Sequence, residues 1–218
     1  MRAVGVLGPG SLRWLLPLGF VLMALLPFAL LDSAGRRDMG LKLPAQPRIY
    51  LVAVLAGAAA ALVCFALGYG LYGPGADNWF VSIASSYRRT MDTTGWSVMR
   101  LHLVFTVPAV IFSPIGEEIF FRGYLQQALE QRFSPRVATL AECAAFGAVH
   151  LCHHGLLLTA AGVSIRPVSG VIWMALMFCT ALVFARLRSA SGSLLPAMLA
   201  HALFNLCMNA TIFIFLWR

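Results

Sequence analysis

Six apolar runs, at about residues 11–31, 49–73, 99–115, 137–152, 167–187 and 193–217, take up most of this chain. Each is near the ~20 residues that an α-helix needs to cross the hydrocarbon core of a bilayer. Inside hydrocarbon a backbone must satisfy its own hydrogen bonds, which leaves helices as the natural spanning element for runs of this length. The first, second, fifth and sixth runs are the clearest. Residues 137–152 are short for a full crossing, and Pro108 and Pro114 interrupt the third run, so five to seven spans fit, with six preferred. The predicted fold is all-α: a polytopic transmembrane helix bundle of about six spans. Composition agrees, because 60% of the 218 residues are hydrophobic and only 11% are charged, against ~25% charged in a soluble domain.

The first run has a second reading as a secretory signal, with Arg2 and Arg13 ahead of it and Ser33, Ala34 and Gly35 behind. Its apolar stretch exceeds the usual ~7–15 residues of a signal core, which favours a retained membrane anchor. The formal charge of +8 does not point to nucleic acid, because the basic residues are scattered through inter-helix loops rather than gathered on one stretch. Their expected neighbours are lipid headgroups of the bilayer. With six spans, the loop basic residues divide almost evenly between the two sides, so the positive-inside rule sets no orientation. Cys64, Cys143, Cys152, Cys179 and Cys207 all lie in apolar runs without Cys-x-x-Cys spacing, and read as small packing residues.

The organisation expected is a single integral membrane domain. Residues 1–98 would supply N-terminal helices and an interfacial loop, and residues 99–218 a helical core that carries the chemistry. Gly57 and Ala58 to Ala61 give the second span a small-residue face suited to close helix approach. The stretch 74–98, with Asp77, Asn78, Trp79, Tyr87, Arg88, Arg89 and Trp96, suits an interface, as a short surface helix or a plain loop. Residues 123–133 look like the polar end of the third helix as it leaves the membrane.

Against this background the segment from Gly116 to Leu125 stands out, since it sets Glu117, Glu118 and Arg122 among apolar neighbours. An ionised side chain at membrane depth costs roughly 2.5–3.5 kcal/mol on insertion scales, so such groups persist where they are paired or useful. Residues four apart share a helix face, which pairs Glu118 with Arg122; Glu117, rotated by ~100°, faces elsewhere. Phe146 and His150 form a second such pair, and His201 and Asn205 a third. His150 and His154 also have the spacing of a metal pair, which keeps a zinc site open, although the His-Glu-x-x-His signature is absent.

Together these residues resemble the CPBP-type intramembrane glutamic endopeptidases, which include the type II CAAX prenyl proteases and bacteriocin-processing and immunity relatives. The E-E-x-x-x-R motif is matched by Glu117, Glu118 and Arg122, continued by Gly123 and Gln126. F-x-x-x-H is matched by Phe146 and His150, and H-x-x-x-N by His201 and Asn205, preceded by Ser193-Leu-Leu-Pro-Ala197. The resemblance covers roughly residues 99–210. It implies an active site within the bundle that hydrolyses a peptide bond in a membrane-associated or lipidated protein or peptide, without metal or cofactor. In the roles it implies, Glu117 and His150 position and deprotonate water, and His201 and Asn205 bind the tetrahedral oxygen. Glu118, Arg122 and Phe146 would support them. The bacterial relatives imply a place in a bacterial cytoplasmic membrane; oligomeric state is not implied. Two other classes stay open at this point: a zinc-dependent membrane protease, and a non-catalytic immunity, scaffold or transport protein.

Overall fold

The computed structural model describes residues 2–8, 10–12, 14–89, 91–159 and 162–217. In chain order the helices are α1 (Arg2–Leu7), α2 (Leu15–Leu30), α3 (Ser33–Asp38), α4 (Arg48–Tyr72) and α5 (Trp79–Arg88). They continue as α6 (Val98–Glu130), α7 (Pro135–Val149), α8 (Pro167–Ser191) and α9 (Leu195–Leu216). One antiparallel hairpin, β1 (Leu156–Thr159) with β2 (Gly162–Ile165), joins α7 to α8. The chain is a membrane-helix bundle. Helices α4, α6, α8 and α9 are long and apolar enough to cross a bilayer, whereas α2 has 16 residues and α7 has 15.

Two features differ from the sequence expectation. The first apolar run yields a helix shorter than expected, because Gly10–Leu12 form a separate 3-10 turn and α2 begins only at Leu15; after Leu30 the chain turns, and Asp32 caps α3 through Gly35 N–H to Asp32 Oδ1 at 2.8 Å. The third run continues into its polar end as expected: Pro108 and Pro114 lie inside α6 without ending it, and the helix passes through a π-helical stretch, Ile119–Leu125, to Glu130. A wider π turn within an α-helix often accompanies a functional segment. The second difference is α5, whose apolar face is buried in the bundle rather than lying on the surface. Trp79, Phe80, Ile83 and Ala84 are buried in the main core, and the Trp79 indole donates to Cys64 O at 3.1 Å. Asn78 starts this helix, accepting from Phe80 N–H at 2.9 Å and donating to Gly73 O at 2.7 Å.

The packing inverts the pattern of a soluble protein. On α4 the buried positions are Ala53, Gly57, Ala61, Cys64 and Gly68, while Leu51, Val52, Leu55 and Leu62 are exposed. Lipid solvates the large side chains, and the small ones let backbones approach. The face of α4 that they form lies on α9, where a Cβ added at Gly57 would fall 2.1 Å from Ala200 O. A second close crossing joins α2 to α6, where a Cβ at Gly116 would meet Phe20 O at 2.4 Å. These contacts fix the helices that carry the polar residues. Gly57→Val is therefore expected to lower the melting temperature in detergent, since forced overpacking costs about 1–3 kcal/mol or more. A wild-type melting curve for that variant would show that α4 and α9 do not meet as described.

Candidate active site

Glu117, Glu118 and Arg122 on α6 are all fully buried. Glu118 Oε1 accepts from Arg122 Nη1 at 3.2 Å and from His201 Nδ1 at 2.8 Å, tying α6 to α9. On its other edge Arg122 Nε lies 3.3 Å from Glu142 Oε1 of α7, an ion pair without hydrogen-bond alignment. Arg122 Nη2 donates to Ala181 O of α8 at 3.3 Å. The guanidinium also sits 4.3 Å from the centre of the Phe146 ring, within range of a cation–π contact. The cation thus ties its own helix α6 to α7 and α8 through charge, a hydrogen bond and an aromatic face, and Glu118 extends the tie to α9.

Phe146 forms the partition between this cluster and a cavity. Its ring centre is 5.2 Å from that of Phe121, 4.4 Å from the His150 imidazole and 5.9 Å from the His201 imidazole. Phe184 stacks on His201 at 5.1 Å. The His201 ring is therefore held between two aromatic side chains and oriented by a carboxylate.

The cavity has a volume of about 500 Å³, and its polar lining includes Ser113, His150, His201 and Asn205. The remaining walls are largely apolar, from Phe20, Phe112, Met177 and Phe204 among others. His150 closes α7, where its Nδ1–H donates to Phe146 O at 2.7 Å; this tautomer makes Nε2 the basic nitrogen of the neutral ring. The backbone carbonyl of His150 accepts from the Trp173 indole at 3.1 Å, which fixes the end of that helix. Asn205 Nδ2 donates to Ala109 O at 2.9 Å, a bond that uses one of its two amide hydrogens. Glu117 is turned away from Glu118, as its helical position requires, and accepts from Ser113 Oγ at 3.0 Å.

All seven residues singled out from the sequence are thus gathered in one place. Phe146, His150, His201 and Asn205 line the cavity, and Glu117, Glu118 and Arg122 are buried around it. His153 lines it too. His154 points elsewhere: its Nδ1 pairs with Ser82 Oγ at 2.7 Å and its Nε2 with Ser169 Oγ at 2.8 Å. The His150 and His154 pair therefore does not converge as the zinc alternative requires. Among the described residues no group of three His, Cys, Asp or Glu side chains is arranged to hold a metal ion. Sequence reasoning missed Ser113, Glu142 and Trp173. Two of them carried a periodic signal, since Ser113 lies four residues before Glu117 and Glu142 four before Phe146.

With this geometry in place, comparison with protein families gives a match over residues 93–207 to the Rce1-like type II CAAX prenyl endopeptidases. The matched segment is more than half of the chain and includes every residue of the cluster and the catalytic candidates around the cavity. The chain belongs to the Rce1-like type II CAAX prenyl endopeptidase family. Comparison with curated proteins and with solved structures found no match. As a member of the Rce1-like family the chain is a CAAX-type intramembrane protease in class, and its helix bundle is that of an integral membrane protein.

Two measurable consequences follow for this Rce1-like chain. Removing Glu142 leaves Arg122 short of one carboxylate, and breaking a buried charge pair from one side costs about 3–5 kcal/mol. Glu142→Ala should therefore melt well below the wild type; equal melting temperatures would show that Glu142 is not needed to balance Arg122.

The second concerns His154, which lies outside the membrane-spanning helices. Burial pushes its pKa down to about 4, with Arg166 adding to the effect and Asp77 opposing it. The folded value is below the ordinary ~6.5, so the fold favours the neutral ring. That stabilisation is complete above about pH 6.5 and is lost as the pH falls toward 4, by at most ~3 kcal/mol. His154→Gln cannot titrate, and its melting temperature should fall less steeply than the wild type's over that interval. Parallel curves would remove His154 as a source of acid sensitivity.

Proposed function

We propose that this chain is an intramembrane endopeptidase that cleaves a membrane-associated or lipidated protein or peptide with water activated by Glu117 and His150. The observation that carries the reading is the convergence of His150, His201 and Asn205 on one largely apolar cavity directly beside the buried Glu117. Peptide hydrolysis by water needs a base, donors for the developing oxyanion and an acid for the leaving amine. Glu117 is the base that receives the water proton, and His150 Nε2 accepts a hydrogen bond that holds the same water. In the tetrahedral intermediate the second amide hydrogen of Asn205 and the Nε2 side of His201 face the oxyanion. His201 Nε2 donates when the ring carries both protons, and the Glu118 carboxylate on Nδ1 is the counterion for that state. The proton held by Glu117 then passes to the leaving amine as the carbon–nitrogen bond breaks.

The apolar walls support a substrate with a hydrocarbon chain or an apolar peptide segment next to the scissile bond. Water exclusion by the same walls strengthens each electrostatic contact inside the cavity. Among the described residues no Asp, Glu, Lys or Arg side chain lines the cavity for salt-bridge recognition of a polar substrate.

Glu117→Gln keeps the shape of the side chain and removes its capacity to take a proton. It should abolish cleavage of an internally quenched peptide ending in a prenylated CAAX tail, with an unchanged melting temperature. Near-normal turnover by the folded variant would remove Glu117 from the base role. Asn205→Ala should lower kcat by about 10²–10³-fold with little change in KM, the usual effect of losing one oxyanion donor. A normal kcat with a greatly raised KM would assign Asn205 to substrate binding instead.

A further inference from the structure

We propose that Ser113 is a proton relay between the water bound in the cavity and the Glu117 carboxylate, an inference that rests on Glu117 being the base. Glu117 is fully buried and is not among the side chains that line the cavity, whereas Ser113 lines it and donates to Glu117 Oε1 at 3.0 Å. Of the two residues, Ser113 is the one that reaches the cavity. The two residues are one α-helical turn apart on α6, so the backbone itself sets the contact. A serine hydroxyl carries one donor and two acceptor lone pairs, and can take a proton on one side while giving one up on the other.

The step balances as follows. The water oxygen forms a bond to the carbonyl carbon as one of its O–H bonds breaks. That proton goes to Ser113 Oγ, and the original Ser113 proton goes to Glu117 Oε1. Serine ends as a neutral alcohol, glutamate as a carboxylic acid, and the carbonyl oxygen carries the negative charge. When the intermediate collapses, the same two transfers run in reverse and deliver a proton to the leaving amine nitrogen as the carbon–nitrogen bond breaks.

A different chemistry uses the same atoms. Ser113 Oγ lies 3.5 Å from His201 Nε2, and His201 Nδ1 is bonded to Glu118, which is the order of nucleophile, base and carboxylate in a hydrolytic triad. The shorter bond of the hydroxyl runs to Glu117, at 3.0 Å against 3.5 Å, and its proton is directed there. The relay is therefore the arrangement that the geometry favours.

The test uses the full chain in proteoliposomes with the quenched prenyl-CAAX peptide, measured in single turnover. Ser113→Ala should lower the cleavage rate on the order of 10–100-fold, at or below the usual range for general acid–base assistance. Its KM should stay within about two-fold, and Ser113→Thr should recover most of the rate because it keeps a hydroxyl. The wild-type rate plotted against deuterium fraction should curve, with two protons in flight, and become linear in Ser113→Ala. A fully active Ser113→Ala beside an inactive Glu117→Gln would overturn the relay while leaving Glu117 as the base; an active Glu117→Gln would overturn both. Stoichiometric labelling of Ser113 by a fluorophosphonate would overturn the relay in favour of a serine nucleophile. If Ser113→Ala does not fold, the wild-type deuterium plot decides alone, and a straight line overturns the proposal.

Discussion

The buried Arg122 guanidinium is the constraint on which the rest of the bundle depends. A permanent cation without water must be matched on every side, and each match recruits a different helix: Glu118 on α6, Glu142 and Phe146 on α7, Ala181 on α8. Lysine, a single point charge, would not reproduce the planar fork that meets two carboxylates and a carbonyl at once. Because Glu118 also receives His201 Nδ1, the placement of the cation is transmitted to α9 and to the imidazole at the cavity wall. The charged cluster and the reactive surface are a single mechanical unit, separated by one aromatic ring.

Bringing these helices within reach of one another falls to residues without side chains. Hydrophobic burial supplies little drive between helices in lipid, so close backbone contact and interhelical hydrogen bonds carry the association. Gly57 against Ala200 and Gly116 against Phe20 are such contacts. The second sits directly before Glu117 in the chain, so the crossing that brings α2 to the cavity wall is set next to the candidate base.

Much of this was legible in the sequence, and the reasons are specific. Glu117, Glu118 and Arg122 stood out because charge is rare in an apolar run, and the four-residue spacings placed Phe146 with His150 and His201 with Asn205 before any coordinates. Adjacent helix positions also separate Glu117 from Glu118, and the two carboxylates do take different partners. Ser113 and Glu142 were not legible in the same way. A serine is unremarkable in a membrane helix, and the role of Glu142 depends on a cation on another helix, a relation that periodicity within one helix cannot express. The length of α6 was legible too, since the polar residues after Gly123 read as its emerging end; Pro108 and Pro114 do not end it, because in a bundle neighbouring groups can satisfy the freed carbonyls. The burial of α5 was missed, since Trp79 reads as an interfacial aromatic until its stacking on Trp173 at 5.9 Å is known.

The short α2 has a consequence for the membrane itself. A helix of 16 residues rises ~24 Å, less than the ~30 Å of a typical hydrocarbon core. Lipid beside it must thin to avoid leaving apolar chains against polar ends. Since Leu16, Pro17 and Phe20 of this helix form one wall of the cavity, the deformation borders the cavity itself. The protein thus shapes its solvent: the lipid layer next to α2 is shallower, and the distance from hydrocarbon to water is shorter there than beside the long helices α4, α6, α8 and α9.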